Sequence, residues 1–229
     1  PNLKEEKSHS FSGSVDWYRQ IGKTQLNFLV EGFYTKLKDP FTSVSEQEEN
    51  GTIMRTIVNE SGAQVYGLTL ESRSNFGSII QLQLGATLQK SEYDDARKWS
   101  GDDDDDVELT KKMLRTPDFY GYFVATLTPV KRLTAAFSAT YTGSMLVPHE
   151  AGYIEKSRTE KTPEFFDLGL KINYEIPLYK GTDIEFYAGI QNMFNSYQKD
   201  FDKGPDRDSG YIYGPSLPRS YFAGAKLCF

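Results

Sequence analysis

The chain has 229 residues, with 15 tyrosines, 15 phenylalanines and 19 glycines, a mix that favours strands and turns over helices. Its net charge of −6 argues against nucleic acid as the main partner, because phosphate binding needs clustered Lys and Arg. One cysteine, Cys228, and two distant histidines, His9 and His149, exclude an internal disulfide and a multi-thiolate metal site, and leave little material for histidine chemistry.

Period-two alternation recurs along the chain, and successive side chains of a strand point to opposite faces. In the first strand Phe11, Gly13, Val15 and Trp17 oppose Ser12, Ser14 and Asp16. After the turn at 20–23, a second strand sets Leu26, Phe28, Val30 and Tyr34 against Asn27, Glu31 and Thr35, with Leu29 and Phe33 as exceptions. The stretch SVSEQEENG reads as a long polar loop. A third strand is expected from Thr52 to Phe76, cleanest at VYGLTLES. The fourth, SIIQLQLGATLQ, alternates best. A long loop carrying Asp102 to Asp106 follows.

The fifth strand is expected from Asp118 to Thr128, and the sixth sets Leu133, Ala135, Phe137, Ala139 and Tyr141 against Thr134, Ala136, Ser138, Thr140 and Thr142. Past a loop around His149, the seventh sets Phe166, Leu168, Leu170, Ile172 and Tyr174 against Asp167, Gly169, Lys171, Asn173 and Glu175. The eighth, beyond PLYKGT, carries Ile184, Phe186, Ala188 and Ile190 on one face. The loop NSYQKDFDKGPDRDSGYIYGP leads to the ninth, RSYFAGAKLCF, where Tyr221, Ala223, Ala225, Leu227 and Phe229 share a face. That apolar row, finishing on an aromatic, suggests the strand signal of an outer-membrane barrel.

No run of 18 apolar residues is present, so no transmembrane helix is expected. A barrel strand needs only about 9–11 residues and shows lipid on every second one. The connections alternate short and long, as periplasmic turns and extracellular loops do. Trp17, Tyr34, Tyr141 and Tyr174 fall near strand ends, as an interfacial girdle would. Alternation does not say which face points outward, and a lipocalin-like barrel or a β-sandwich buries its apolar face instead. The expected fold is all-β: an antiparallel transmembrane barrel, residues 1–229 forming part of one barrel domain. Nine strands is an odd count, whereas bacterial barrels are even, which suits the C-terminal part of a larger barrel. PNLKEEKSHS is polar from its start, so no signal peptide is visible, which suits a mature or truncated chain.

PNLKEEKSHSFSGSVDW, GFYTKLKDPF, VYGLTLES, IQNMFNSYQ and GYIYGPSLPRSYFAGAKLCF resemble, in that order, the closing barrel half of TonB-dependent outer-membrane receptors. Glu5 stands where the family's opening usually has Pro, and Gly214, Pro215, Pro218, Arg219 and Tyr221 match its lead into the last strand. The resemblance implies a 22-stranded barrel in the bacterial outer membrane, with a plug domain inside it; this sequence shows neither the plug nor a TonB box. It further implies import of an iron-siderophore, haem or cobalamin-class nutrient, driven by TonB–ExbB–ExbD. Lipid, a small-molecule ligand and the barrel-assembly machinery are the expected partners, and no cofactor is expected. Catalysis is not expected; the alternatives are an outer-membrane barrel enzyme or a soluble β-barrel binder.

Candidate site residues lie in the long loops. Tyr211 and Tyr213 could stack on a ligand, or belong to the interfacial belt. His149 is a further ligand candidate, although a lone loop histidine is more often solvated. Asp102, Asp103, Asp104, Asp105 and Asp106 could share a calcium ion, but a self-repelling solvated tip is the preferred reading. Asp200, Asp202, Asp206 and Asp208 lack calcium-loop spacing and are expected to cap turns, with Asp202, Asp206 and Asp208 kept as weak metal candidates. Asp16, Glu31, Glu71, Asp167, Lys171, Glu175 and Glu185 should face a polar lumen and pair with plug or wall charges. Asn59-Glu60-Ser61 matches a glycosylation acceptor without meaning in a bacterial outer membrane.

Overall fold

The computed structural model describes residues 3–47, 53–99, 107–179 and 181–229. Fourteen strands are present among them and no helix. Nine form one antiparallel sheet: β1 (Lys7–Ile21), β2 (Thr24–Lys38), β5 (Ala63–Phe76), β6 (Ile80–Arg97), β8 (Phe119–Val130), β9 (Leu133–Thr142), β12 (Phe165–Pro177), β13 (Asp183–Gln191) and β14 (Ser220–Cys228). Their spatial order is their chain order, so every connection joins neighbours. β7 (Thr110–Lys112) adds to β6, while β3 (Phe41–Gln47) pairs β4 (Ile53–Asn59) and β10 (Leu146–His149) pairs β11 (Arg158–Lys161). β1 and β14 are the sheet's edges, so the described residues form a partial barrel wall.

The register carries the alternation across the whole wall. Val15 lies opposite Val30, Val30 opposite Leu70, and Leu70 opposite Ala86. Farther on, Phe137 lies opposite Leu170, Leu170 opposite Ile190, and Ile190 opposite Tyr221. Every apolar row read from the sequence therefore falls on one face. That face is exposed: Phe11 is 70% accessible, Val15 72% and Leu88 59%. A soluble barrel or sandwich would have buried it. No core of comparable size exists among the described residues; the one buried cluster is small and lies in the loops. Tilted aromatic pairs mark both ends of the apolar band, Trp17–Phe28 toward the short turns and Tyr34–Tyr66 and Phe119–Tyr141 toward the long loops.

The opposite face is polar, and four of its aromatics lie over a facing glycine. Phe33 lies directly opposite Gly67, Tyr122 opposite Gly85, Phe222 opposite Gly189, and Tyr187 opposite Gly224. Each ring occupies the space where a Cβ on the facing glycine would sit. The exception at Phe33 thus has a physical reason: its ring fills a gap a glycine leaves.

Two expectations are corrected. The third strand begins at Ala63 rather than Thr52, and residues 53–59 belong to the β3–β4 hairpin. The break comes where Asn59 turns the chain. Its Nδ2 donates to Lys4 O at 2.9 Å and Asp39 O at 2.7 Å, and its Oδ1 accepts from Lys4 N at 2.6 Å. Part of the SVSEQEENG loop is likewise strand, since β3 extends to Gln47.

Candidate functional site at the long-loop rim

The long loops are not loose connections. The β9–β12 loop folds back as the β10–β11 hairpin, and residues 192–219 pack against it. Val147, Phe165, Tyr211 and Tyr213 form a buried cluster with Met145 at its margin. Gly214 sits at φ +69°, and a Cβ there would come within 2.5 Å of the Phe165 ring. Only glycine takes both this backbone and this approach without strain.

The three ligand candidates, His149, Tyr211 and Tyr213, meet in this cluster. The His149 imidazole stacks on the Tyr211 ring, with centroids 3.6 Å apart and planes 8° from parallel. Tyr211 and Tyr213 meet edge to face at 5.3 Å. All three are buried, at 4%, 5% and 7% accessibility. In this conformation they support the rim from beneath rather than line an open surface.

The His149 Nε2 end and both phenol oxygens find an acidic partner. His149 Nε2 lies 3.0 Å from Asp202 Oδ2, and both side chains are almost fully enclosed; His149 Nδ1 has no partner among the described residues. Tyr211 Oη donates to Asp200 at 3.0 Å and Tyr213 Oη donates to it at 2.7 Å. Gln198, with no accessible surface, donates from Nε2 to Tyr211 O at 3.0 Å and accepts at Oε1 from Tyr213 N at 2.8 Å. It stitches this loop as a neighbouring strand would. Arg115 fastens the same segment from the β6–β8 loop, donating to Ile212 O at 2.8 Å and to Gly210 O.

Protonation follows from these contacts. Burial pushes the Asp200 carboxyl up, but the hydrogen bonds from Tyr213, Tyr211, its backbone and Gln198 outweigh it, and the net direction is down. Burial pushes Tyr211 up to about 12; the bond with Tyr213 opposes this and the Asp200 carboxylate adds to it. Tyr213 is raised further, by burial and then by its bond to Asp200. At neutral pH Asp200 is a carboxylate held by two phenols.

The acidic candidates serve the loop's folding. Asp202 Oδ2 accepts from Asp208 N at 3.0 Å. Asp208 accepts from Glu150 N at 3.0 Å and Gly210 N at 2.7 Å, and the Asp206 carbonyl closes on Gly152. No group of three or more His, Cys, Asp or Glu side chains able to hold a metal exists among the described residues. Asp102 to Asp106 lie outside the described residues. Tyr221, Ala223, Ala225 and Leu227 line the apolar face of β14, with Phe229 exposed beyond it. His9 is exposed on β1.

Asn192 and Gln198 lie in IQNMFNSYQ, one of the family-like stretches, but neither stands out there as a site residue. Asn192 is 2% accessible and at φ +49°; its Nδ2 donates to Ser196 O at 3.1 Å and Leu217 O at 2.9 Å, and its Oδ1 accepts from Ser196 N at 2.8 Å. Of the charges on the polar face, Asp16 accepts from Asn27, Glu71 lies 3.6 Å from Arg73, and the Lys171 ammonium sits 4.9 Å above the Tyr187 ring.

The family described as "TonB dependent receptor-like, beta-barrel" matches residues 1–193. No curated protein matches the chain in sequence. Among solved structures, the ferric-catecholate import receptor Fiu from E. coli K12 is 19% identical with a TM-score of 0.63, covering 98% of this chain and 28% of its own. The iron transporter FrpB from Neisseria meningitidis is 15% identical with a TM-score of 0.62, covering 98% and 31%. FpvA from P. aeruginosa, bound to a heterologous iron–pyoverdine, is 13% identical with a TM-score of 0.59, covering 96% and 30%. The chain thus spans under a third of the length of these proteins, and at such identities the likeness shows the fold.

Proposed function

The chain belongs to the TonB-dependent receptor-like β-barrel family, and on that premise we propose that it supplies wall and extracellular loops to an outer-membrane receptor importing a scarce nutrient. The long-loop rim faces outward and the short turns face the periplasm, as in outer-membrane barrels generally. The observation that carries this reading is the apolar face: nine strands in register present it continuously and leave it uncovered.

The nutrient is of the iron-siderophore, haem or cobalamin class. Fiu is a ferric-catecholate import receptor, FrpB an iron transporter and FpvA is bound to an iron–pyoverdine, and this favours the iron class. Uptake draws on TonB–ExbB–ExbD through parts of the receptor outside this sequence. His149, Tyr211 and Tyr213 act in ligand binding by holding the rim rigid, so that exposed neighbours such as Ile212 are presented in fixed places. The β14 row from Tyr221 to Phe229 serves as the strand signal for barrel assembly.

The test is uptake of labelled ferric siderophores, haem and cobalamin in cells with and without the receptor, under limitation. Loss of one class in the receptor deletion and equally in a tonB deletion is the expected result. Unchanged uptake of all three classes would overturn the reading.

A further inference from the structure

Arg115 holds an unusual backbone conformation in the β6–β8 loop. The turn at residues 114–115 leaves it at φ +60°, in the left-handed region. Asp39, Asn192 and Asn195 share the sign, but Asp and Asn tolerate it; a long side chain takes it only at a cost. Such a conformation persists where its surroundings over-determine it. Here they do so from two sides. The Arg115 amide donates to Leu146 O of β10 at 2.7 Å. Its guanidinium donates to Ile212 O at 2.8 Å and to Gly210 O, both on the β13–β14 loop. One residue of the β6–β8 loop thus holds the other two long loops at once.

Those two are also joined directly. Val147 packs with Tyr211 and Tyr213, His149 Nε2 meets Asp202, and Glu150 N donates to Asp208 at 3.0 Å. Leu146, whose carbonyl Arg115 holds, immediately precedes Val147 of that cluster. The three loops leave the sheet at separate places, between β6 and β8, β9 and β12, and β13 and β14. The sheet's own hydrogen bonds therefore do not tie them together; these contacts do. Each contact has both partners within the described residues, so none depends on an unpaired charge or an open space.

We propose that Arg115 is a latch that makes the three long loops open and close as one unit, so that a ligand touching any one of them changes the mobility of all three. The consequence for a ligand rests on the receptor reading; the coupled opening does not. A cooperative unit exchanges its amide hydrogens through one shared opening, and weakening one part of it speeds the whole. Independent loops respond one at a time.

The test is hydrogen exchange of the full-length receptor in detergent, read on peptides spanning 113–118, 143–162 and 192–219. Gln198→Ala weakens the β13–β14 loop at a position 83 residues from Arg115 in sequence. It should speed exchange in all three peptides by a similar factor, about tenfold or more. In an Arg115→Ala background the response at 113–118 should shrink by about threefold or more, while 143–162 and 192–219 still respond together. Amides of β8 and β9 should keep their protection throughout, which checks the fold. If Arg115→Ala does not fold, Gln198→Ala alone decides. Acceleration that leaves 113–118 at the wild-type rate, or a response there that Arg115→Ala does not reduce, would each overturn the proposal. A receptor whose loops exchange as one unit but that imports none of the three nutrient classes overturns the uptake reading and leaves the latch standing.

Discussion

Replacing Gln198 with alanine should open the 192–219 loop without disturbing the wall. The side chain makes two hydrogen bonds in a fully enclosed position, to Tyr211 O and from Tyr213 N. Alanine removes both partners and strands a buried carbonyl and a buried N–H. Each stranded group costs about 1–3 kcal/mol, so the loop should lose roughly 2–6 kcal/mol. At about 1.4 kcal/mol per tenfold, the Tyr213 amide should exchange its hydrogen at least about thirtyfold faster. Amides of β12 and β13, paired on both sides within the sheet, should keep their wild-type protection. The assay is hydrogen exchange of the detergent-purified receptor, read by mass spectrometry on peptides spanning 192–219 and 165–191. Unchanged protection at Tyr213, or a parallel fall across β12 and β13, would refute the assignment of Gln198 as a local stitch.

Gly85→Ala places a methyl where the Tyr122 ring lies, and the variant should destabilise the receptor by about 1–3 kcal/mol, seen as a lower melting temperature in detergent. Adding Tyr122→Ala should restore part of the loss, and no restoration would refute the pairing. The pH response of the loop has a defined sign. Asp200 is lowered from 3.8, so its contribution is present above that value and is lost as pH falls through the folded value. Tyr211 is raised from 10.0 to about 12, and Tyr213 is raised as well, so their contribution is full below pH 10 and is lost as pH rises toward 12 and beyond. Ultraviolet titration of tyrosinate should show Tyr211 and Tyr213 among the late-ionising tyrosines, and Asp200→Asn should bring them earlier.

The wall was legible because its physics is periodic. One face meets an apolar medium and the other meets polar surroundings, so residues 80–88 carry the pattern in plain view. The β3–β4 hairpin was not, because β3 is mostly polar and reads as loop, while β4, IMRTIVN, has apolar residues without a clean period of two that would part it from the strand after it. The rim was half legible. Tyr211, Tyr213 and His149 stand out as residue types, but 62 positions separate His149 from Tyr211, and nothing in sequence shows that two loops bring their rings within 3.6 Å. Gln198 and Asn192 fall in the family-like stretch IQNMFNSYQ, which marks the segment but not their role. A buried amide satisfying backbone in an irregular loop follows no period, and only the folded path of 192–219 shows what each one holds.

The central claim is that the apolar face of these nine strands meets lipid. Nitroxide labels placed singly at residues 81–88 of β6, in outer membranes carrying the whole receptor, test it most directly. Accessibility to dissolved oxygen should be high at Leu82, Leu84, Ala86 and Leu88, and accessibility to a water-soluble nickel complex should peak at the alternate positions. Low oxygen access at the leucine positions, as in a packed protein core, would contradict the account.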